Sequence, residues 1–364
     1  MELAILLLIS AIVIFPLVLW VRHERRVAAR RTAARDAAMA RELQELRGVL
    51  HDAGVPEHEL PSADPAQLHV VRMQVQGLLH SIRLDDGDAP VRTEPLPSAP
   101  HGEMPRGIWG AGADLYVAGY QYTGDDGEDT GTIYHRLPDG SWRVEWQTEA
   151  RLFGSIWGSG LDNIYAVGGS CARFDGRAWR EETIEGLGGG YLLAVWGSSP
   201  LDVYVSTGDG RIFRSRGDGR WQLEASLGCA LHTLGGWGDQ AVWAAGNEGR
   251  VFRRRAAGEW VPEESGTRAQ LVSFFAASPE EAYLAGGEHL LRSRGDGSWQ
   301  PVDGAPAWTR RVTGTPEGEI FVGGPLARLQ AGRWEPIPLE GSIDGLWCDG
   351  RVLHVLGDRT TQLD

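Results

Sequence analysis

Lysine is absent from this sequence; all 35 basic residues are arginine. Schiff-base chemistry and a Walker-type phosphate loop both need a lysine amine, so both are excluded. Cysteine is nearly as scarce, with only Cys171, Cys229 and Cys348. An odd set of three gives no disulfide framework and suits a reducing compartment, although a periplasmic protein can also lack disulfides. None of the three has an activating partner nearby in the sequence. The ten histidines are scattered, with no pair at metal-ligand spacing, so no metal or cofactor is expected. Net positive charge is missing too. The chain carries −14 overall: residues 1–50 hold 8 Arg against 5 acids, and the rest holds 27 Arg against 44 acids. So acidic a body is a poor partner for nucleic acid.

What the chain does have begins with 19 uncharged, mostly apolar residues from Leu3 to Val21. At about 1.5 Å per residue this run matches a bilayer's hydrocarbon thickness. It starts at Met1-Glu2 and ends in Leu-Trp-Val-Arg without a small-residue cleavage site, so residues 1–22 are expected to be an uncleaved anchor. Arg22, Arg25, Arg26, Arg30, Arg31 and Arg35 follow immediately, which predicts a single-pass bacterial inner-membrane protein with its bulk in the cytoplasm. Export of the bulk to the periplasm, to bind an envelope component, is the alternative.

Residues 23–83 read as a helical stalk of two helices. Met39, Leu43, Leu46 and Leu50 make a short seam in the first. Leu68, Val71, Val75, Leu78 and Ile82 keep helical spacing in the second. Such stripes suit packing within the chain and leave self-association through the stalk open. Residues 84–104, rich in Asp, Pro and Gly, read as a linker containing one strand.

From residue 105 to 364 one pattern recurs at intervals of about 40 residues. An apolar strand ends at Trp109-Gly110, Trp157-Gly158, Trp196-Gly197 and Trp237-Gly238, with weaker copies at Phe275, Thr313 and Trp347. A second strand follows, such as Asp202-Val203-Tyr204-Val205, then an alternating third strand. An Asp-Gly turn then leads to a Trp, as in Asp218-Gly219-Arg220-Trp221. Four short strands per unit of this length describe a propeller blade. The expected fold class is all-β, a seven-bladed β-propeller with four-stranded blades, preceded by the transmembrane helix and stalk. The recurring Trp is expected to pack between blades. The last unit is expected to end with its third strand at residues 360–364 and lacks a fourth, and the segment 90–96 is expected to supply it from the front of the chain.

These repeats resemble the Asp-box, or sialidase-like, group of bacterial propellers. Ser215-Arg216-Gly217-Asp218-Gly219-Arg220-Trp221 and Ser293-Arg294-Gly295-Asp296-Gly297-Ser298-Trp299 approximate that box, differing in Ser-to-Asp spacing and lacking the Thr before Trp. Gly168-Gly169, Gly286-Gly287 and Gly323-Gly324 add a kelch-like note. The resemblance implies fold, since the box is a turn device and propellers host many functions. A sialidase-like activity would need clustered arginines beside a Tyr–Glu pair, and no motif places these together.

Candidate binding residues sit in the loops that join second to third strands and one blade to the next. Blade 1 carries an insertion there containing Tyr120, Tyr122, Asp125, Asp126, Glu128 and Asp129; its acids lack the alternation of a calcium loop. Arg151, Tyr191, His232, Arg268, Gln270 and Trp308 complete the candidate set, and no catalytic residue is assigned. The expected function is non-catalytic: a membrane-anchored propeller acting as a protein-binding scaffold or assembly factor. A carbohydrate-active or other hydrolytic propeller is the alternative.

Overall fold

Each repeat folds into one antiparallel sheet of four strands, and seven such sheets are present. The computed structural model describes residues 78–84, 92–96, 103–121, 130–149, 152–315, 318–330, 332–339 and 341–358. All of them belong to one unit, residues 73–364. The apolar run at 3–21, its arginine flank, and the stalk up to residue 77 lie outside the described residues. Blade 3 is typical: Leu192–Ser199 is innermost, then Asp202–Thr207, Arg211–Ser215 and, outermost, Trp221–Ser226. The second strand is buried along its whole length and the outer strand is largely exposed, so the core lies between neighbouring sheets.

The Trp-Gly pairs make those interfaces. On its own sheet, each inner-strand Trp lies beside the aromatic of the second strand: Trp157 is 6.5 Å from Tyr165, and Trp196 is 6.4 Å from Tyr204. Its far edge rests on the glycine of the next blade. A Cβ on Gly158 would come within 2.7 Å of Trp109, and one on Gly197 within 2.6 Å of Trp157. The outer-strand Trp closes the same interface edge-on: Trp221 meets Tyr165 of the preceding blade at 5.9 Å and 88°, and Trp260 meets Tyr204 at 6.3 Å and 82°. T-shaped pairs of this kind contribute about 0.5–1.5 kcal/mol beyond their buried area.

Blade 4 departs from the expected alignment. Trp196 faces Tyr204 across its sheet, whereas the residue facing Trp243 is Gly235, and Trp237 pairs with Ala241 near the turn. The glycine is required: a Cβ at Gly235 would lie 2.0 Å from Phe274 of blade 5. Phe274 fills the space a tryptophan occupies elsewhere, 5.4 Å from Trp243.

Blade 7 is assembled from both parts of the chain. Ser342–Cys348 and Val352–Asp358 are its inner strands, Leu78–Arg83 is third and Arg92–Pro95 is outermost. Leu78–Arg83 therefore corrects the helical reading of residues up to 83. A spacing of four residues puts Leu78 and Ile82 on one face of a strand as well as of a helix, so periodicity alone could not separate them. Pairing decides the matter: Leu78 to Arg83 run antiparallel to Gly357 to Val352, and Ile82 is buried with Phe321, Leu353 and Val355. The third strand expected at 360–364 falls outside the described residues, and its place in the sheet is taken.

His354 occupies in blade 7 the position of Tyr165 and Tyr204, stacked 5.6 Å from Trp347 and bonded to Ser81 Oγ through Nδ1 at 2.9 Å. Burial pushes its pKa down to about 4. The folded state thus holds the ring neutral while the unfolded chain takes up a proton below pH ~6.5. This contribution is complete above pH ~6.5 and is lost as pH falls towards ~4, on the order of 3 kcal/mol in all. His354→Phe, which copies Phe321 of blade 6, should flatten that part of the stability–pH curve in urea unfolding at pH 7.5 and 4.5. Gly197→Ala should lose about 1–3 kcal/mol through forced overpacking, read as a lower urea midpoint at unchanged slope.

Candidate functional site

The inner strands converge on a central channel of about 240 Å³. One position of its lining is small in six blades, where Gly107, Ser155, Ala194, Thr233, Ser273 and Gly345 take the same place, and Arg311 takes it in blade 6. Just ahead of this position the inner strands of blades 1, 2, 3, 4 and 7 bulge, skipping Arg106, Gly154, Leu193, His232 and Asp344. A bulge re-aims its extra side chain. Arg310 holds the matching position in blade 6, its N–H bonded to Gly323 O at 2.7 Å. Blades 6, 7 and 1 thus bring Arg310, Arg311, Asp344 and Arg106 to one side of the channel.

Their bonding is unequal. Arg106 Nη1 pairs with Asp344 Oδ1 at 3.2 Å, its Nη2 donates to the Tyr120 hydroxyl at 3.1 Å, and the guanidinium lies 5.6 Å from the Tyr120 ring centre. Ser342 Oγ donates to the other Asp344 oxygen at 3.3 Å. Among the described residues Arg311 has no such carboxylate. Its Nε donates to Asp344 O at 2.7 Å and its Nη1 to Arg310 O at 3.1 Å, both backbone carbonyls. Burial pulls the Arg311 pKa down; Asp344 opposes this, while Arg310 and Arg106 reinforce it. An arginine keeps its charge regardless.

Around this mouth runs a rim made, in blades 2 to 6, by the residue three positions ahead of the channel-facing one. The carbonyls of Leu152, Tyr191 and Ala230 accept from the N–H groups of Gly169, Gly208 and Asn247 at 2.8–3.0 Å. Gln270 and Trp308 hold the same place in blades 5 and 6: a Cβ on Gly286 or Gly324 would meet their carbonyl oxygens at 2.0 and 2.1 Å. The paired glycines therefore exist to let the rim approach the sheet. The Asp-Gly turns are likewise structural, since Asp218 and Asp296 accept the N–H two residues on, from Arg220 and Ser298, at 3.1 and 2.9 Å.

Of the candidate residues, Tyr120 and Tyr191 meet around Arg106. Tyr191 is exposed at its edge and donates to Leu152 O at 3.3 Å. Burial, with a smaller push from Tyr120 and against Arg106, raises its pKa, so it stays a hydroxyl donor at neutral pH. His232 Nε2 lies 2.9 Å from Asn247 Oδ1 and 2.8 Å from Gln270 Nε2, which joins blades 4 and 5 at the rim. Trp308 stands 61 % exposed with φ of 63°. Arg268 does not join them; it lines a separate hollow with Glu248, Arg250 and Glu264. Tyr122, Asp125, Asp126, Glu128, Asp129 and Arg151 lie outside the described residues. The sequence reading missed Arg106, Arg310, Arg311 and Asp344, although Arg311 is visible as the one large residue in a column of small ones once the repeats are aligned.

Three arginines come together here, a grouping that no sequence motif announced. A hydrogen-bonded Tyr–Glu pair, Tyr283 to Glu281 at 2.6 Å, lies at the opposite end of blade 5, by the turn between its first two strands. Comparison with solved structures shows the fold. The WD40 β-propeller domain of Doa1 superposes with a TM-score of 0.55 at 10 % identity, over 72 % of this chain and 95 % of that one. YCF48 bound to D1 peptide gives a TM-score of 0.48 at 16 % identity, over 74 % and 82 %. No protein-family model and no curated protein matches the chain.

A bulky residue at positive φ costs about 1–2 kcal/mol, a strain that the exposed Trp308 side chain does little to repay by burial. Trp308→Gly should leave stability unchanged or raise it by up to about 1 kcal/mol, and Trp308→Ala should fall about 1 kcal/mol below the glycine variant. Urea unfolding checks this. A loss of several kcal/mol in the glycine variant would make Trp308 a packing residue and remove it from the site.

Proposed function

We propose that this protein is a non-catalytic propeller that captures a protein partner on the channel-mouth face, serving as a membrane-tethered scaffold or assembly factor. The observation that carries the reading is the rim itself: a strained, exposed Trp308 and an exposed Tyr191 flank an arginine-lined mouth. Exposed aromatics beside arginine are the residues that dominate protein interfaces. At about 240 Å³ the channel is smaller than the roughly 300–1,000 Å³ of small-molecule sites. That supports entry of a side chain or chain end over a whole sugar, and it weighs against the hydrolytic alternative.

A photo-crosslinking amino acid at position 191 or 308 of the full chain, in cells, should trap the same protein. The same residue at Leu201, exposed in a turn at the opposite end of blade 3, should not. Equal labelling from position 201, or none from both rim positions, would reject the reading. The tether rests on the apolar run at 3–21 and the arginines after it. Protease should spare the propeller in intact spheroplasts and digest it after lysis; digestion before lysis would move the partner to the envelope.

A further inference from the structure

We infer that the channel mouth is a carboxylate-binding site, in which Arg311, supported by Arg310 and Arg106, takes one carboxylate carried by an extended peptide segment. The inference rests on the protein-binding reading above and names the chemistry of its partner. Its basis is an imbalance of charge inside the fold. Among the described residues Asp344 is the acid of the cluster, and its carboxylate is engaged by Arg106 and Ser342. Arg311 receives only that residue's backbone carbonyl and that of Arg310. Its Nη2 has no acceptor among the described residues, and it is the sole charged side chain at a channel position where the other six blades place glycine, alanine, serine or threonine. A half-buried guanidinium flanked by two more is costly to hold without an anion, and an incoming carboxylate removes that cost.

The geometry selects among anions. The planar guanidinium fork matches a carboxylate, and the Nε and Nη1 bonds to the backbone fix its plane before any ligand arrives. A polyanion is disfavoured, because residues 51–364 carry 44 acids against 27 Arg and repel extended negative charge at long range. A single carboxylate on an otherwise neutral segment avoids that repulsion. Tyr191 and Trp308 on the rim offer surface to the residues flanking it.

The test uses the full chain in detergent and an array of random octapeptides made twice, once ending in a free carboxylate and once in an amide. The expected binders either carry Asp or Glu at a fixed position or bind only with the free carboxylate, and the two arms separate an acidic side chain from a chain end. With the best binder in fluorescence anisotropy, Arg311→Gln should weaken Kd at least tenfold, with Arg311→Lys restoring only part of it. Arg310→Gln, at an exposed side chain whose loss does not threaten folding, should weaken it several-fold. Changing the peptide's Glu to Gln, or its carboxylate to amide, should then cost the Arg311→Gln protein little more. Binders without acidic dependence, wild-type affinity in both arginine variants, or an array with no binders would each overturn the inference. If binding survives the arginine changes but falls with Tyr191→Ala and Trp308→Ala, the carboxylate chemistry fails while the protein-binding face stands. If neither set matters, both readings fall.

Discussion

The ring depends on a tryptophan of one blade lying on the glycine of the next. A four-stranded sheet this small cannot bury its second strand alone, and the contact that covers it comes from its neighbour. The contact also crosses the joint between the first and last blades, where a Cβ on Gly110 would meet the Trp347 ring at 2.7 Å. Where blade 4 lacks the tryptophan, Phe274 enters from blade 5 and the interface keeps its volume. The interface is filled there by a different aromatic ring, supplied from the facing blade.

Closure and the candidate site are the same neighbourhood. Asp344 extends from the innermost strand of blade 7, and that sheet is completed by Leu78–Arg83 and Arg92–Pro95 from ahead of the repeats. Arg106 reaches Asp344 from blade 1 and Arg311 reaches its carbonyl from blade 6, so the mouth is held by three blades across the joint. Loss of the front strands would leave blade 7 with two strands and an open edge. It would also loosen Asp344, which pairs with Arg106 and whose carbonyl holds Arg311.

Much of this was legible before any coordinates. The Trp-Gly and Asp-Gly-x-Trp repeats carry the number of blades and their strand content because each residue in them answers a packing or turn requirement that recurs from blade to blade. Where the reading failed, the signal was ambiguous for a physical reason. Leu78 and Ile82 satisfy helix and strand alike. Trp237 copies the Trp-Gly dipeptide while its pairing with Ala241 puts it two residues beyond the true position. The candidate list named the rim through Tyr191, Gln270 and Trp308, which loops make conspicuous. It missed Arg106, Arg310 and Arg311, because in a chain whose every cation is arginine no single one stands out. Many are structural: Arg214 binds Asp202 at 2.6 Å, with its guanidinium 5.4 Å from the Tyr204 ring centre. Arg311 stands out once the repeats are aligned on their channel position, where its six counterparts are small.

The claim on which the account turns is that Leu78–Arg83 is an integral strand of the last blade. Hydrogen exchange on the full chain measures it directly. Amides of 78–83 should exchange as slowly as those of Asp202–Thr207 in blade 3, with protection that falls together with theirs as urea is raised, as for one cooperative unit. Exchange within seconds at 78–83, while blade 3 stays protected, would contradict it. The joint, and the arginine mouth above it, would then need another explanation.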